Sequence, residues 1–148
     1  VTYTGLDALA HGGYTLIVQQ APSATINSIA SLFYNNDTTA ANYRRAHGHH
    51  ETLGGGGGAG QDAIITMDVG TNHEGQLSII DIHIDATGQI LTNARNTVLF
   101  VDKTRILAAQ RAHAYIGTPP SNVTRLDFTA SNANGIPVGS IFKLYRRK

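Results

Sequence analysis

The sequence predicts an all-β protein, and three observations support this prediction. Short segments rich in β-branched and aromatic residues alternate between apolar and polar positions, which is the period of a half-buried strand. Clusters of Gly, Asn, Asp and Pro separate these segments, as at Asn35–Asp37 and Asn132–Gly135. No window of about 11 residues carries an apolar stripe at helical spacing between capping residues. Several short strands separated by turns are typical of a β-sandwich or a β-barrel.

Eight segments carry the strand signature, and the clearest is Leu77–Asp85. Ile80, Ile82 and Ile84 lie on one face of this segment, opposite two aspartates and a histidine. Thr104–Tyr115 is ambiguous, because its alanines favour a helix while its alternation favours a strand, and we assign it as a strand. The other predicted strands are Tyr14–Gln20, Ile29–Tyr34, Ala63–Val69, Asn96–Val101, Val123–Thr129 and Ser140–Tyr145.

The composition narrows the possible functions. A chain of 148 residues predicts one domain, residues 1–148, with a core of its own. The absence of cysteine excludes disulfides, thiolate-bound metals and thiol nucleophiles. A net charge of +1 argues against nucleic-acid binding, and no apolar run is long enough to form a membrane helix.

The run Gly54–Gly60 is the one low-complexity segment. No lysine follows it as a phosphate-binding loop requires, and the strand–turn–helix context of a dinucleotide site is missing. We therefore expect no cofactor here, and we predict that residues 52–60 form a flexible surface loop.

Histidines are concentrated in the segment HGHHE, which comprises His47, His49, His50 and Glu51. If the segment is a strand, His47 and His49 project from the same face and could both bind a metal ion. A solvated turn beside the glycine run is the simpler interpretation.

The polar turn Asn35–Tyr43 has the composition of a sugar-binding surface, in which an aromatic ring stacks on the sugar and amides bond its hydroxyls. The alternative is a turn held by its own Asn and Asp residues. The candidate ligand contacts are Asn35, Asn36, Asp37, Asn42, Tyr43, His47, His49 and His50.

The polar face of the clearest strand is formed by Asp81, His83 and Asp85. Such a row could bind a cation, orient the histidine as a base, or pair with arginines of a neighbouring subunit. We expect a solvated face or a subunit contact. No serine lies in a nucleophile-elbow motif and no sequence feature marks a pair of catalytic carboxylates, so we expect no enzyme activity.

Two segments resemble surface proteins of tailed-bacteriophage virions. The turn FYNNDTTAANY resembles the motif F-N-x-D-x-x-x-N-Y of that family, with Tyr34 inserted and one further residue between Asp37 and Asn42. The C-terminal GSIFKLY resembles its motif G-S-x-h-x-L-Y, in which h is apolar. The matched residues are Phe33, Asn35, Asp37, Asn42, Tyr43, Gly139, Ser140, Leu144 and Tyr145.

This resemblance implies a jelly-roll-like antiparallel β-sandwich on a tail fibre, spike or capsid. It further implies location in the virion, other virion proteins as partners, and a homo-oligomer, usually a trimer. We expect the module to bind a host receptor, most simply a glycan, through Asn35–Tyr43 and His47–Gly60. The alternatives are a decoration or assembly module without a host ligand, and a carbohydrate-binding module of a glycan-degrading enzyme. The stretch 47–60 and Arg146 depart from the family pattern.

Overall fold

The computed structural model describes residues 1–22, 28–51, 54–60, 67–69, 73–100, 106–118 and 122–147. These residues form eleven strands, one α-helical turn and one 3-10 turn. The strands are β1 (Thr2–Thr4), β2 (Tyr14–Gln20), β3 (Ser28–Tyr34), β4 (Tyr43–Glu51), β5 (Gly54–Gly60), β6 (Met67–Val69), β7 (His73–Ile84), β8 (Ile90–Phe100), β9 (Ile106–Tyr115), β10 (Arg125–Ala130) and β11 (Ile141–Arg146).

Two antiparallel sheets pack against each other. The smaller sheet has the order β1-β10-β3-β6, and the larger, seven-stranded sheet has the order β11-β2-β7-β8-β9-β4-β5. When the hairpin β7–β8 and the C-terminal β11 are set aside, the sheets are β1-β10-β3-β6 and β2-β9-β4-β5. This is the strand order of a jelly roll, in which consecutive strands repeatedly cross between the sheets. The predicted jelly-roll-like antiparallel β-sandwich is therefore confirmed.

The core lies between the sheets because the strands alternate between buried and exposed side chains. Along β8, every second residue from Ile90 to Val98 is buried and the residues between them are exposed. The predicted apolar face of β7 is buried as expected. The largest fully buried side chains are Tyr34, Tyr43, Phe128, Leu16, Leu32, Ile80, Ile82, Ile90 and Leu126.

Most predicted strands are present in the structure, and the differences between their predicted and observed bounds have physical causes. β2 covers the predicted residues, and the ambiguous segment is a strand over Ile106–Tyr115. Its alanines are tolerated because β9 pairs with strands on both sides, which outweighs helix propensity. The strand predicted from Asn96 begins at Ile90, since the buried polar residues Thr92 and Asn96 obscured its alternation. Residues 63–66 of another predicted strand lie outside the described residues.

The glycine run is a strand, so the predicted loop is wrong over Gly54–Gly60. β5 pairs antiparallel with β4, from Arg45 opposite Gly60 to Glu51 opposite Gly54. Glycine has access to the extended conformation, and pairing with β4 supplies the hydrogen bonds that the isolated segment lacks. Residues 52 and 53 lie outside the described part of the chain.

The helical content is small. α1 (Ala8–His11) begins after Asp7, whose carboxylate accepts a hydrogen bond from the backbone N–H of Ala10. A 3-10 turn spans Ala40–Asn42. Within the described ranges, no helix is long and apolar enough to cross a membrane.

Candidate functional site

The turn between β3 and β4 is organised around Asp37. Its Oδ2 accepts hydrogen bonds from the Tyr115 hydroxyl and from Asn42 Nδ2, both at 2.7 Å. Its Oδ1 accepts a bond from the backbone N–H of Thr39 at 2.9 Å. The main-chain oxygen of Asp37 accepts a further bond from the Tyr43 hydroxyl at 2.6 Å. One aspartate thus ties the turn to both β4 and β9.

These contacts shift the pKa values of the groups involved. Partial burial by itself raises the pKa of Asp37, but the hydrogen bonds from Tyr115, Asn42 and Thr39 outweigh it and lower the pKa to about 2. Burial and the bond donated to Asp37 raise the pKa of Tyr115 to about 12. At neutral pH the carboxylate is therefore charged and the tyrosine protonated. This arrangement stabilises the turn and leaves neither group poised for proton transfer.

Tyr43 belongs to the core. Its side chain is fully buried, and its ring packs edge-on against Tyr115 with centroids 5.1 Å apart. Tyr34 lies beside it, and the Tyr34 hydroxyl contacts Thr92 on β8. Tyr43 therefore has no ring face available for stacking on a sugar, contrary to the contact expected for this residue. Tyr43 begins β4, which agrees with the alternative interpretation of the segment as a turn held by Asn and Asp residues, after which Tyr43 starts the next strand.

Asn35 and Asn36 adopt left-handed backbone conformations, with φ of 49° and 64°. The side chain of Asn35 accepts bonds from the backbone N–H groups of Thr124 and Arg125 and donates one to the carbonyl of Asn122. It therefore fastens the turn to the loop before β10. Asn36 is exposed at the tip of the turn. Of the ligand contacts predicted in this turn, Asn36 is thus the one whose side chain projects most freely.

The segment HGHHE lies on β4, so the expected solvated turn is wrong. His47 is half-buried on the inner face of the large sheet, and its strand neighbour on β9 is Arg111. His49 and His50 follow on the same strand, and their side chains lie outside the described residues. Where side chains are described, no group of three His, Asp or Glu residues could hold a metal ion. Metal binding by His47 and His49, and ligand binding by all three histidines, stay predictions.

The sequence analysis missed a buried histidine on β9. His113 is 5% exposed, and neither of its ring nitrogens has a hydrogen-bond partner. Burial, and then the charges of Arg111, Arg45 and His47, lower the pKa of His113 to about 3. It is therefore neutral at pH 7. The signal was present in the alternation of β9, which places His113 on the same face as the buried Tyr115.

The outer face of the seven-stranded sheet was also missed as a candidate surface. Large apolar side chains are exposed on four of its strands, and the most exposed include Leu91 and Ile106, each at 53%. Leu77 and Leu91 each lie between two buried neighbours on their strand, so they point outward, and the strand register places the other positions on the same face. The exposed set is Leu77 on β7, Leu91 and Leu99 on β8, Ile106 on β9, and Ile141 and Tyr145 on β11.

The predicted polar row lies partly on this outer face. Asp81 forms ion pairs with Arg95 and with Arg147, each at 3.3 Å, and Arg147 also contacts the exposed His83 at 3.0 Å. Asp85 lies beyond the end of β7, and its carboxylate holds the following turn instead. The row is therefore split between a small charge network and a turn.

One half of the outer face contains a groove of about 550 Å³, which runs over β8, β9 and β4. The exposed residues that line it include Ala46, Gly48, Ala108 and Ala112. Arg95 also borders it. The groove exists because alanine and glycine replace larger outward side chains in this half of the sheet.

Comparison of the chain with protein-family profiles, with curated protein sequences and with solved structures gave no match.

Proposed function

We propose that this chain is a non-enzymatic structural module of a tailed-bacteriophage virion, and that it associates with further copies of itself through the outer face of its seven-stranded sheet. The virion setting rests on the sequence resemblance. The association rests on one structural observation, which is the concentration of exposed Leu, Ile and Tyr side chains on that face. Apolar surface gathered in one region, rather than scattered singly, is typical of an interaction site.

The charges of the face fit association with like copies. Asp81 is paired with Arg95 and Arg147 within the same chain. A partner therefore needs no carboxylate of its own to pair with these arginines, although one positive charge per copy stays unbalanced when the network is covered. A second copy presents the same apolar surface and the same paired charges.

Sedimentation of the purified chain over a range of concentrations tests this function. We expect self-association that Leu91→Asp weakens, because Leu91 lies on the central strand of the face. Val138→Asp is the matched control, because Val138 is fully exposed in the loop before β11 and lies off the face. A wild-type chain that stays monomeric at high concentration contradicts the proposal, as does equal weakening by both substitutions.

Host-surface binding is a second candidate function, supported by the rigidity of the turn at Asn35–Tyr43. The Asp37 network fixes the turn, and the exposed Asn36 and Thr38 project from it. A fixed polar tip can bond the hydroxyls of a glycan at a small entropic cost. Many copies in one particle would raise the avidity of a weak single site.

Binding of the oligomer to intact cells of candidate hosts tests this second function. Asn36→Gly removes the exposed amide and keeps the left-handed backbone that glycine favours. We expect loss of saturable binding with unchanged stability, whereas Asn134→Gly, also left-handed and exposed, is the control that keeps binding. Binding by the Asn36 variant at the wild-type level excludes this tip as the contact.

A further inference from the structure

We infer that the outer face of the seven-stranded sheet is self-complementary in shape, and that two copies pack face to face about a two-fold axis parallel to β8. The inference rests on the proposed association through this face and adds its geometry.

β8 divides the face into two unlike halves. It is the fourth of seven strands, with β11, β2 and β7 on one side and β9, β4 and β5 on the other. The first half is raised by large side chains, namely Ile17, Leu77, Ile79, Ile141 and Tyr145. The second half holds the groove, whose floor includes Ala46, Gly48, Ala108 and Ala112. A ridge and a groove thus lie side by side on one surface.

Symmetry then selects one packing. For two copies to face each other, the two-fold axis must lie in the plane between the sheets. An axis perpendicular to the strands would set ridge against ridge and leave both grooves empty. An axis parallel to the strands reverses the strand order, so that β7 of one copy covers β9 of the other and β2 covers β4. Only the second arrangement fills the groove with the ridge, and close packing favours it.

The strand register shows which residues of the two copies would come into contact. Leu77 and Ala108 are both paired with Thr97, on opposite sides of β8, so they lie at the same height along the sheet. Reversal about an axis along β8 therefore places Leu77 of each copy over Ala108 of the other. In the same way, Ile79 covers Gln110, because both are paired with Arg95.

Charged side chains lie near the axis of this packing. Arg95 lies on β8, so the two copies of Arg95 approach each other at the axis. Each is already paired with Asp81 on the neighbouring strand, and both Asp81 carboxylates lie within one strand of the axis. Each Asp81 is also paired with Arg147, so two copies together bring four arginines and two aspartates to this region, and the resulting net charge of +2 is screened by added salt.

The area is sufficient for a stable dimer. Seven strands at a spacing of roughly 4.8 Å, each about six residues long, give a face of roughly 34 by 20 Å, or about 680 Å². Standard interfaces cover roughly 600 to 1,000 Å² on each partner, so the face lies within this range.

A spin label at Lys143 measures the axis directly. The chain has no cysteine, so Lys143→Cys provides one labelling site, on the exposed side of the edge strand β11. With the axis along β8, β11 of one copy covers β5 of the other, and the two labels lie six strand spacings apart, at about 30 Å. With the perpendicular axis, β11 covers β11 and the labels lie about 10 Å apart, the distance between packed sheets. Pulsed electron-spin resonance distinguishes these distances.

A size exchange tests the contact between ridge and groove. Ala108→Phe fills the groove and should raise the Kd for self-association at least about tenfold. Adding Leu77→Ala to the same chain makes room and should restore the Kd to within about threefold of wild type. Adding Ile141→Ala instead is the control, because Ile141 lies on β11 and does not cover β9. All three positions are exposed, so circular dichroism and melting are expected to stay unchanged.

Labels near 30 Å together with rescue by Leu77→Ala support the inference. Short distances, a trimer, or rescue by Ile141→Ala overturn it while self-association through this face still stands. A chain that does not associate at all overturns both the inference and the proposed function.

Discussion

Acidification should destabilise the fold through His113. The side chain is buried and lacks hydrogen-bond partners, and its pKa is lowered from 6.5 to about 3. A histidine whose pKa is lower in the folded state binds its proton more readily when unfolded. The free energy of unfolding therefore falls as the pH drops below 6.5, and this loss is complete only below pH 3.

The magnitude follows from the two pKa values. A pH of 5 lies 1.5 units below 6.5. At this pH, His113 is almost fully protonated in the unfolded chain and almost fully neutral in the folded chain. This difference in proton binding lowers the free energy of unfolding at pH 5 by about 2 kcal/mol, because each pH unit contributes about 1.36 kcal/mol. Arg111, Arg45 and His47 contribute to this lowered pKa after burial, because they repel a positive charge on His113.

Urea unfolding at pH 8 and pH 5 measures this effect. The wild-type chain should lose about 2 kcal/mol more between these pH values than the variant His113→Gln, whose side chain does not titrate. His83→Gln is the matched control, because His83 is exposed, and it should retain the full wild-type loss. Asp37 does not contribute in this range, since its pKa is lowered to about 2. Equal losses in the wild type and in His113→Gln would refute the reasoning.

Three further substitutions test other parts of the structure. Asp37→Asn should lower the free energy of unfolding at pH 7 by about 2 kcal/mol, because it weakens charge-assisted hydrogen bonds from two side chains. Urea unfolding measures this difference between variant and wild type, which should disappear as the pH falls from 3.8 toward 2. Gln20→Leu should raise the free energy of unfolding by about 1 kcal/mol, since the buried amide has no hydrogen-bond partner, and an unchanged or lower melting temperature would contradict this. Gly13→Ala should lower the free energy of unfolding, measured with urea, by at least about 2 kcal/mol, because an added Cβ would lie 2.0 Å from the carbonyl oxygen of Ile82. Gly12→Ala is the control and should lower it less, because there is open space around its Cβ.

The fold class could be predicted because strands with one buried face have a period of two in the sequence. β7 and β2 follow that rule, and their predicted faces are correct. β8 follows it less visibly, because Thr92 and Asn96 take inner positions where apolar residues are expected. The glycine strand could not be predicted, since glycine carries no side chain to alternate and its extended form depends on pairing with β4, which was not itself predicted as a strand.

The candidate site was predictable only in part, for a similar reason. The turn at Asn35–Tyr43 was located correctly, but composition does not reveal whether polar atoms point toward solvent or toward each other. Here Asp37 and Asn35 bind groups on β9 and before β10, which lie roughly 80 to 90 positions along the chain. The apolar outer face was hidden because its residues come from separate strands, and only the sheet order brings them together.

The position of β10 between β1 and β3 has a consequence for biosynthesis. β1 pairs with β10 through Thr2 and Asp127, and β10 pairs with β3 along its other edge. When a ribosome has made the first third of the chain, β1 and β3 both lack their partner strand, because β10 has not yet been translated. Early collapse of β1 onto β3 would close the gap that β10 has to enter. We therefore expect slow completion of the smaller sheet after chain release, with a need for protection from aggregation meanwhile. The same long-range pairing must be broken before the chain can unfold, which favours slow unfolding of the folded chain.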